Sequence, residues 1–436
     1  MTILSTLAAA QAPAACNEQR LTNLLLRKLM PLLVVVYVMS FLDRTNIALA
    51  KASMGIDLGL SAAAYGLGAG LFFLTYALFE VPSNLIMQKV GARFWITRIM
   101  ITWGLLSAGM VFVQGETSFY VMRLLLGIAE AGLFPGVMLY LTYWFNREQR
   151  ARATGYFLLG VCVANILSGP LGGALLQLDG WLGWHGWQWL FVLEGLPAVA
   201  LAYVVWKKLP DGPSSATWLS ASDARNIEER LNAESEDAPQ QTRLSQMLRD
   251  KQIWLAIVVY FVHQITIYTV IFFLPGIIGT YGALSPLQIG LLTSVPWIAA
   301  AIGAATFPRL ATSPQRCRRI LFFGLLTMSA GLLLASFSNS YIGLIGFSLT
   351  ALMLFVVQSI IFVFPSSRLS GTALAGGLAF VTTCGLLGGF VGPSVMGLIE
   401  QATGSTRNGL LVIAGLLIFA ALVSTRLRQG QEKTAV

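Results

Sequence analysis

Twelve apolar runs, each about 20 residues long, divide this chain of 436 residues and constrain its fold more than any other feature. A helix rises about 1.5 Å per residue and the hydrocarbon core of a bilayer is about 30 Å thick, so each run can cross a membrane. A hydrophobic content of 56% with only 11% charged residues excludes a soluble globular protein. The predicted spans are residues 29–50, 65–87, 94–114, 118–141, 153–177, 187–207, 252–279, 287–307, 318–337, 341–364, 372–398 and 408–426.

The positively charged residues indicate how these spans are oriented. Cytoplasmic loops are enriched in Lys and Arg. If both termini are cytoplasmic, all but four of the 28 Lys and Arg residues lie in cytoplasmic segments, the exceptions being Arg44, Lys51, Arg123 and Arg407. We therefore expect a multi-pass protein of the cell inner membrane with both termini in the cytoplasm. The net charge of +9 is a signal of topology and does not indicate nucleic-acid binding, because the charges are dispersed among short loops.

One long polar stretch separates six spans from six, which predicts two bundles. The expected organisation is a cytoplasmic tail over 1–28, an N-terminal six-helix bundle over 29–208, a linker over 209–251, a C-terminal six-helix bundle over 252–427 and a tail over 428–436. The fold class is therefore all-α integral membrane, with twelve transmembrane helices. Many transporters use two such halves and bind substrate between them at the middle of the membrane.

Two smaller expectations concern the polar ends and the linker. Residues 1–17 lack a basic start, so we expect a disordered tail there and no cleaved signal peptide. Within the linker, the composition of 222–231 favours a short helix, with Ser222 as its N-cap.

Four full charges lie inside two of the N-terminal spans. Asp43 and Arg44 are adjacent in the first span, and Arg123 and Glu130 are seven residues apart in the fourth, on one helical face about 10 Å apart. An ionisable side chain at the centre of a membrane helix costs about 2.5 to 3.5 kcal/mol, so such residues normally face a protein interior or a wet cavity. Their presence predicts a pathway through the protein.

The residue types suggest a division of labour. Arginine is permanently charged and its planar fork matches a carboxylate, which makes Arg44 and Arg123 candidates to bind an organic anion. Desolvation favours the neutral form of a carboxyl group, so Asp43 and Glu130 are candidates to take up and release a proton during transport. The alternative is that the four charges form two ion pairs that only hold helices together, although buried ion pairs rarely repay their desolvation.

Other polar side chains in the spans are weaker candidates for the substrate site. Tyr37 and Tyr76 can donate a hydrogen bond to an anion, and His263, Gln264 and Tyr268 form a polar stripe in the seventh span. A histidine can change charge near neutral pH, but a hydrogen-bonded structural histidine explains the position equally well. We expect structural or gating roles for Glu80 and Glu194.

Motifs along the whole chain resemble the major facilitator superfamily and, within it, the anion:cation symporter family of organic-acid permeases. They are the stretch around Asp43 and Arg44 (41–48), Pro82-Ser83-Asn84 with Gly91-Ala92-Arg93, 123–136, 140–145, 186–197 and 388–393. The resemblance implies proton-coupled uptake of a carboxylate. It also implies that Arg44 binds substrate, that Arg123 is a second arginine of the site, that Asp43 and Glu130 are linked to protons, and that Tyr76 lines the cavity.

Two departures from this family pattern bear on the substrate. Phe362 stands where members commonly carry Trp, and Thr382 stands where they carry Asn. The site therefore offers fewer side-chain amide groups to bind hydroxyls, which favours an aromatic or short hydroxy acid as the substrate. A sugar acid remains the alternative. Import or export cannot be read from residues, so an exporter or antiporter of the same fold also remains open.

The remaining expectations concern partners and activity. The partners are a small organic anion and the lipid bilayer, the coupling ion is the proton with no other cofactor, and the protein is expected to be a monomer. A membrane enzyme would need a cluster of His or Cys, and the chain has only His185 and His263 as histidines. We therefore expect no enzymatic activity.

Overall fold

A computed structural model of the chain describes residues 2–236, 248–337, 340–369 and 371–429. Within these ranges all regular structure is helical, and twelve helices are long and apolar enough to cross a membrane, which confirms the predicted fold class. In chain order the spans are Glu18–Leu58, Ala62–Val90, Ala92–Phe112, Glu116–Thr142, Glu148–Leu176, Gly186–Lys208, Lys251–Gly279, Pro286–Leu310, Pro314–Phe337, Ser340–Ser366, Gly376–Thr403 and Thr406–Ser424.

The first span is about twice as long as the predicted 29–50, and the expectation of a disordered tail over 1–17 is wrong for the backbone of residues 2–17, which is helical. Helix Thr2–Leu58 is continuous from the tail into the membrane. Leu25 and Leu26 before the predicted start are buried against the N-terminal bundle. Arg27 and Lys28, which follow them, are exposed, and their charges led to a predicted span that begins too late, at residue 29.

The linker contains the predicted helix, with a different cap. The helix runs over Ala221–Glu236, and the Oγ of Ser220 accepts a hydrogen bond of 3.1 Å from the backbone N–H of Asp223. Ser220 therefore satisfies a free N–H of the first turn, so the prediction that Ser222 is the N-cap is wrong by two residues. Arg230 of this helix forms an ion pair with Glu18 at 2.6 Å, which ties the linker to the start of the first span.

The twelve spans form two six-helix bundles. In the N-terminal bundle the second span packs on the fourth, the third on the sixth and the first on the fifth. In the C-terminal bundle the seventh packs on the eleventh, and the ninth packs on the tenth and twelfth. The bundles meet where the second span contacts the eleventh, the fifth contacts the eighth and the first contacts the seventh.

Glycines allow the closest approaches between the bundles. A methyl group on Gly66 would collide with the backbone of Pro393 and Gly397, and one on Gly169 would collide with the backbone of Gly290. Lipid tails are as apolar as leucine, so helices in a membrane associate through such close packing rather than through a hydrophobic driving force.

Three polar contacts join the bundles on the face where the first span ends. There Lys51 Nζ lies 2.6 Å from Glu400 Oε2, and the hydroxyl of Tyr65 donates a hydrogen bond of 3.0 Å to the carbonyl of Phe272. The backbone N–H of Ala63 donates to Gln401 at 3.1 Å on the same face. These contacts close the bundles together on the side that the Lys and Arg distribution predicts to be the outer one.

Candidate substrate site

A buried ion pair between Arg44 and Glu130 is the centre of the candidate site. Nη2 of Arg44 lies 2.7 Å from Oε2 of Glu130, and the Oγ of Ser40 lies 3.5 Å from the same oxygen. The Glu130 side chain is fully buried and that of Arg44 is 8% exposed. The pair joins the first span to the fourth. It therefore links a charge of the adjacent residues Asp43 and Arg44 to a charge of the fourth span.

A break in the fourth span determines where Glu130 points. Helix Glu116–Glu130 stops at Glu130, and helix Leu133–Thr142 begins after Gly132, whose φ of +91° is left-handed. The Oγ of Ser83 donates a hydrogen bond of 2.7 Å to the freed carbonyl of Ala131, and Trp95 Nε1 donates to the Ser83 hydroxyl at 2.9 Å. Glu130 is therefore the last residue of a half-helix, a placement typical of binding sites in membrane transporters.

Aromatic rings enclose the Arg44 guanidinium. Its Cζ atom lies 4.8 Å from the ring centre of Phe41, 5.1 Å from that of Phe72 and 5.2 Å from that of Tyr76. Such cation–π contacts stabilise a desolvated cation. Tyr268 of the seventh span interacts electrostatically with the same guanidinium, so the site lies between the bundles.

Asp43 faces away from this site, although it is adjacent to Arg44 in the sequence. Its two carboxylate oxygens each accept a hydrogen bond of 2.8 Å, one from Trp103 Nε1 and one from the Ser107 hydroxyl, both on the third span. Glu194 of the sixth span lies close enough to interact electrostatically with Asp43 and with Asn46. Two buried carboxyl groups thus share the space between the first, third and sixth spans.

The Arg123 side chain binds backbone carbonyl groups of the second span. Its Nε donates to the carbonyl of Gly68 at 3.1 Å and its Nη2 donates to that of Ala69 at 3.3 Å. The residue is 1% exposed, and its Cζ lies 5.0 Å from the Phe72 ring, which also contacts Arg44. These contacts favour a clamp between the second and fourth spans over the anion-binding role expected from the sequence. Of the two ion pairs that the alternative requires, the described residues contain one, between Arg44 and Glu130, whereas Asp43 and Arg123 bind other groups.

The two tyrosines expected in the N-terminal half lie on either side of the aromatic enclosure. Tyr37 stacks on Phe157 with ring centres 4.0 Å apart and meets Phe41 edge to face at 5.0 Å. Tyr76 contacts Arg44 with its ring, as described above. Tyr268 also packs against Phe73, with ring centres 4.0 Å apart. The structure therefore brings Tyr76 and Tyr268 to Arg44 and places Tyr37 behind Phe41.

The residues of the polar stripe in the seventh span have different surroundings in the structure. His263 is fully buried, and its Nε2 lies 2.9 Å from the carbonyl of Leu354 within the C-terminal bundle. This contact favours the structural alternative for His263 over the expected substrate role. Gln264 is 3% exposed, and its Oε1 has no hydrogen-bond donor among the described residues.

Phe362 and Thr382 are both partly exposed in the C-terminal half. Phe362 meets Tyr260 edge to face with ring centres 4.9 Å apart. The Thr382 hydroxyl donates to its own helix at the carbonyl of Leu378, 2.7 Å away. Neither side chain contacts Arg44 directly, so the structure separates these two from the ion pair.

Phe41 and Phe72 are members of the site that were not predicted from the sequence. A signal was present, because Phe41 precedes Arg44 by three residues and Phe72 precedes Tyr76 by four, and both spacings place side chains on one helical face. In the part of the chain that the structure describes, no group of three or more His, Cys, Asp or Glu residues could hold a metal ion.

Comparison with known proteins places the chain among membrane transporters. The family model of the Major Facilitator Superfamily matches residues 33–393. A protein of Agrobacterium vitis named "Putative tartrate transporter" is 40% identical over 409 residues, covering 93% of this chain and 94% of that protein. A "Quinolone resistance transporter" of Acinetobacter baumannii is 38% identical over 400 residues, covering 91% and 92% of the two chains.

A solved structure supports the same arrangement of helices. The inward-facing, occupied form of a bacterial homologue of the human lysosomal transporter Spinster superposes with a TM-score of 0.76. The match covers 92% of this chain and 98% of that one at 16% sequence identity, so the likeness concerns the fold.

Proposed function

The chain belongs to the major facilitator superfamily of membrane transporters, and from this premise we propose that it is a proton-coupled symporter that imports a small organic carboxylate. The single observation that carries the proposal is the buried ion pair between Arg44 and Glu130, enclosed by aromatic rings between the bundles. A structural latch in a membrane is made more cheaply from small residues, as the glycine contacts of this protein illustrate.

The charge balance of the pair provides the coupling. Without substrate, the Arg44 cation and the Glu130 anion neutralise each other in a low-dielectric environment. A substrate carboxylate that replaces Glu130 on the guanidinium would leave two anions and one cation, which is costly unless Glu130 takes up a proton. One proton and one carboxylate therefore enter together, and the buried charge is unchanged.

Asp43 is the candidate for a second proton in this proposal. It is buried behind the first span and bound to Trp103 and Ser107, so it would act without touching substrate. Protonation there would weaken two hydrogen bonds to the third span and change how the first span packs. Asp43 would thereby couple a proton to helix movement, whereas Glu130 would couple a proton to substrate binding.

The relatives support a carboxylate as the substrate. Tartrate, for which the Agrobacterium vitis relative is named, is a short hydroxy acid with two carboxylates. The aromatic enclosure of Arg44 favours an aromatic acid and the name of this relative a short hydroxy acid, with a sugar acid as the alternative. The name of the Acinetobacter baumannii relative supports export as the second candidate direction, because the same cycle can run either way.

We place both termini in the cytoplasm of the cell, with the protein in the inner membrane, on the basis of the Lys and Arg distribution. With this orientation, the contacts between Lys51 and Glu400 close the outer face. Alternating access would then require the two bundles to separate there and to approach each other at the cytoplasmic face.

A binding screen on the purified protein tests the substrate class. Thermal-shift measurements with aromatic, hydroxy and sugar acids should identify a stabilising carboxylate, and Arg44→Ala should weaken its binding by about tenfold or more. Arg319→Ala is a matched control, because Arg319 is exposed at the start of the ninth span, which packs on the tenth and twelfth spans and not on the first or fourth. Stabilisation by neutral or cationic compounds alone would contradict the proposal.

Uptake into proteoliposomes tests the coupling. An inward proton gradient should drive accumulation of the carboxylate found in the screen, and acidification of the lumen should accompany its entry. Uptake that ignores an imposed gradient would indicate a uniporter instead.

A further inference from the structure

Glu80, like Glu130, is a buried carboxyl group that faces the space between the bundles. It has no part in the mechanism proposed above. It lies in the second span, four residues after Tyr76, and is 7% exposed. The hydroxyl of Thr383 in the eleventh span donates a hydrogen bond of 3.3 Å to its Oε2. Glu80 thus contacts the opposite bundle, which is unusual for a side chain with a purely local structural role.

No cation neutralises Glu80 among the described residues, whose ion pairs all involve other carboxyl groups. A single hydroxyl donor is poor compensation for a buried carboxyl group, which can accept several hydrogen bonds. The Thr383 hydroxyl is the one side-chain donor that contacts this carboxyl group among the described residues, so Oε1 is left to solvent or to a ligand in the space between the bundles.

The surroundings of Glu80 are those of the substrate site. Arg44, Tyr76, Tyr260 and Tyr268 all interact electrostatically with it. Tyr76 lies against the Arg44 guanidinium, and four residues of helix add a rise of about 6 Å to reach Glu80 on the same face. A fixed cation and a carboxyl group without an ion-pair partner therefore face one space, about one helical turn apart along the second span.

We propose that Glu80 determines substrate specificity by binding a hydrogen-bond donor, best an ammonium group, at the end of the substrate opposite the carboxylate held by Arg44. This inference rests on the proposed function, because it takes the carboxylate on Arg44 as given. A donor at that position gives Glu80 the partner it lacks and makes a charge-assisted hydrogen bond. Because Thr383 reaches Glu80 from the other bundle, the bound donor would lie where the two bundles meet.

Two ligand series test the proposal on the purified full-length protein. The first is 4-methylbenzoate, 4-(hydroxymethyl)benzoate and 4-(aminomethyl)benzoate, and the second is butyrate, 4-hydroxybutyrate and 4-aminobutyrate, which covers aliphatic acids. Within a series the carboxylate is constant and the far end changes from methyl to hydroxyl to ammonium. Dissociation constants are measured by titration calorimetry for the wild type, Glu80→Gln and Glu116→Gln, the last being an exposed control at the end of the fourth span.

In at least one series, the ammonium compound should bind the wild type about tenfold tighter than the methyl compound, and Glu80→Gln should reduce this ratio to about one. The methyl compound should bind Glu80→Gln and Glu116→Gln as it binds the wild type. Thr383→Val removes the hydroxyl that contacts Glu80 but leaves the carboxyl group in place, so it should retain the preference for ammonium if that preference comes from the carboxyl group and not from the contact between the bundles.

Three results would overturn the inference. The ratio could be the same in wild type and Glu80→Gln, it could be about one in both, or Glu80→Gln could weaken all compounds equally. A variant that binds all compounds normally but loses the dependence of binding on pH would instead identify Glu80 as a proton site. Failure of the proposed function looks different, because then Arg44→Ala would leave the affinity of the methyl compounds unchanged or no compound of either series would bind the wild type.

Discussion

Nη2 of Arg44 lies 2.7 Å from Oε2 of Glu130, although 86 positions separate the two residues in the chain. The other two buried charges do not pair with them. Asp43 accepts hydrogen bonds from the third span, and Arg123 donates hydrogen bonds to the second. Glu130 is therefore the carboxylate that forms the ion pair with Arg44 among the described residues. Any anion that binds Arg44 has to compete with Glu130, and this competition is the basis of the first prediction.

We expect Glu130→Gln to separate binding from proton coupling. The amide keeps the shape and a hydrogen-bond acceptor for Arg44, but it carries no negative charge and cannot release a proton. Substrate should bind at least as tightly as in the wild type, and exchange of labelled for unlabelled substrate across a proteoliposome membrane should continue. Accumulation driven by a pH gradient should fall to the equilibrium level.

The control for this variant is Glu116→Gln, which removes an exposed carboxylate from the same span. Its accumulation should match the wild type. If Glu130→Gln still acidifies the lumen while it transports substrate, Glu130 is not the proton carrier.

The two buried arginines should respond differently to substitution. Arg44→Gln removes the cation of the site, so carboxylate affinity should fall by about tenfold or more while the contacts between the second and fourth spans remain. Arg123→Gln removes the hydrogen bonds to Gly68 and Ala69, and the loss should cost about 1.5 to 3 kcal/mol of stability with little change in affinity. Thermal unfolding and ligand titration on both variants measure the two effects, and equal losses of affinity would contradict the clamp role of Arg123.

The ion pair between Lys51 and Glu400 should influence which face of the protein is open. The pair joins the bundles on the predicted outer face, and the Lys51 ammonium also lies 4.3 Å from the Phe273 ring centre. Lys51→Glu or Glu400→Lys places like charges together and should favour separation of the bundles on this face. The double exchange restores an opposite pair and should return the closed form.

Spin labels at Ile56 and Arg407, on the two bundles near this face, can measure the separation in a background with the four native cysteines replaced by alanine. Each single charge reversal should add a population at longer distance, and the double exchange should remove it. If the double exchange is as open as the single variants, the pair does not hold the face closed.

The fold was predictable from the sequence because hydrophobic length alone identifies membrane helices, and all twelve runs appear as spans. The pairing of the charges was not predictable. Arg44 and Asp43 are neighbours in the sequence, but consecutive residues on a helix point about 100° apart, so one faces the fourth span and the other the third. Only the arrangement of the helices shows that Glu130 is the partner of Arg44.

The break in the fourth span was similarly hidden. The stretch 118–141 reads as one apolar run, and hydropathy does not distinguish a continuous helix from two half-helices. The glycine and proline that accompany the break, Gly132 and Pro135, are also common in continuous membrane helices. Ser83, which donates to the freed carbonyl, and Trp95, which donates to the Ser83 hydroxyl, come from other spans and could not be inferred from the local sequence.

The break itself can be tested with Gly132→Ala. Gly132 has a φ of +91°, where a side chain is strained, and an added Cβ would collide with the Ser83 side chain that holds the Ala131 carbonyl. The strained backbone should cost about 1 to 3 kcal/mol of stability. Since Glu130 is two residues away, the variant should also displace its carboxylate from Arg44 and weaken gradient-driven uptake.

Gly155→Ala is the matched control, because Gly155 is in the fifth span with open space around it, and the added methyl group should be neutral or stabilising. Thermal unfolding and uptake measured on both variants distinguish the two positions, and a Gly132→Ala protein with wild-type stability and uptake would show that the left-handed turn is not required to position Glu130.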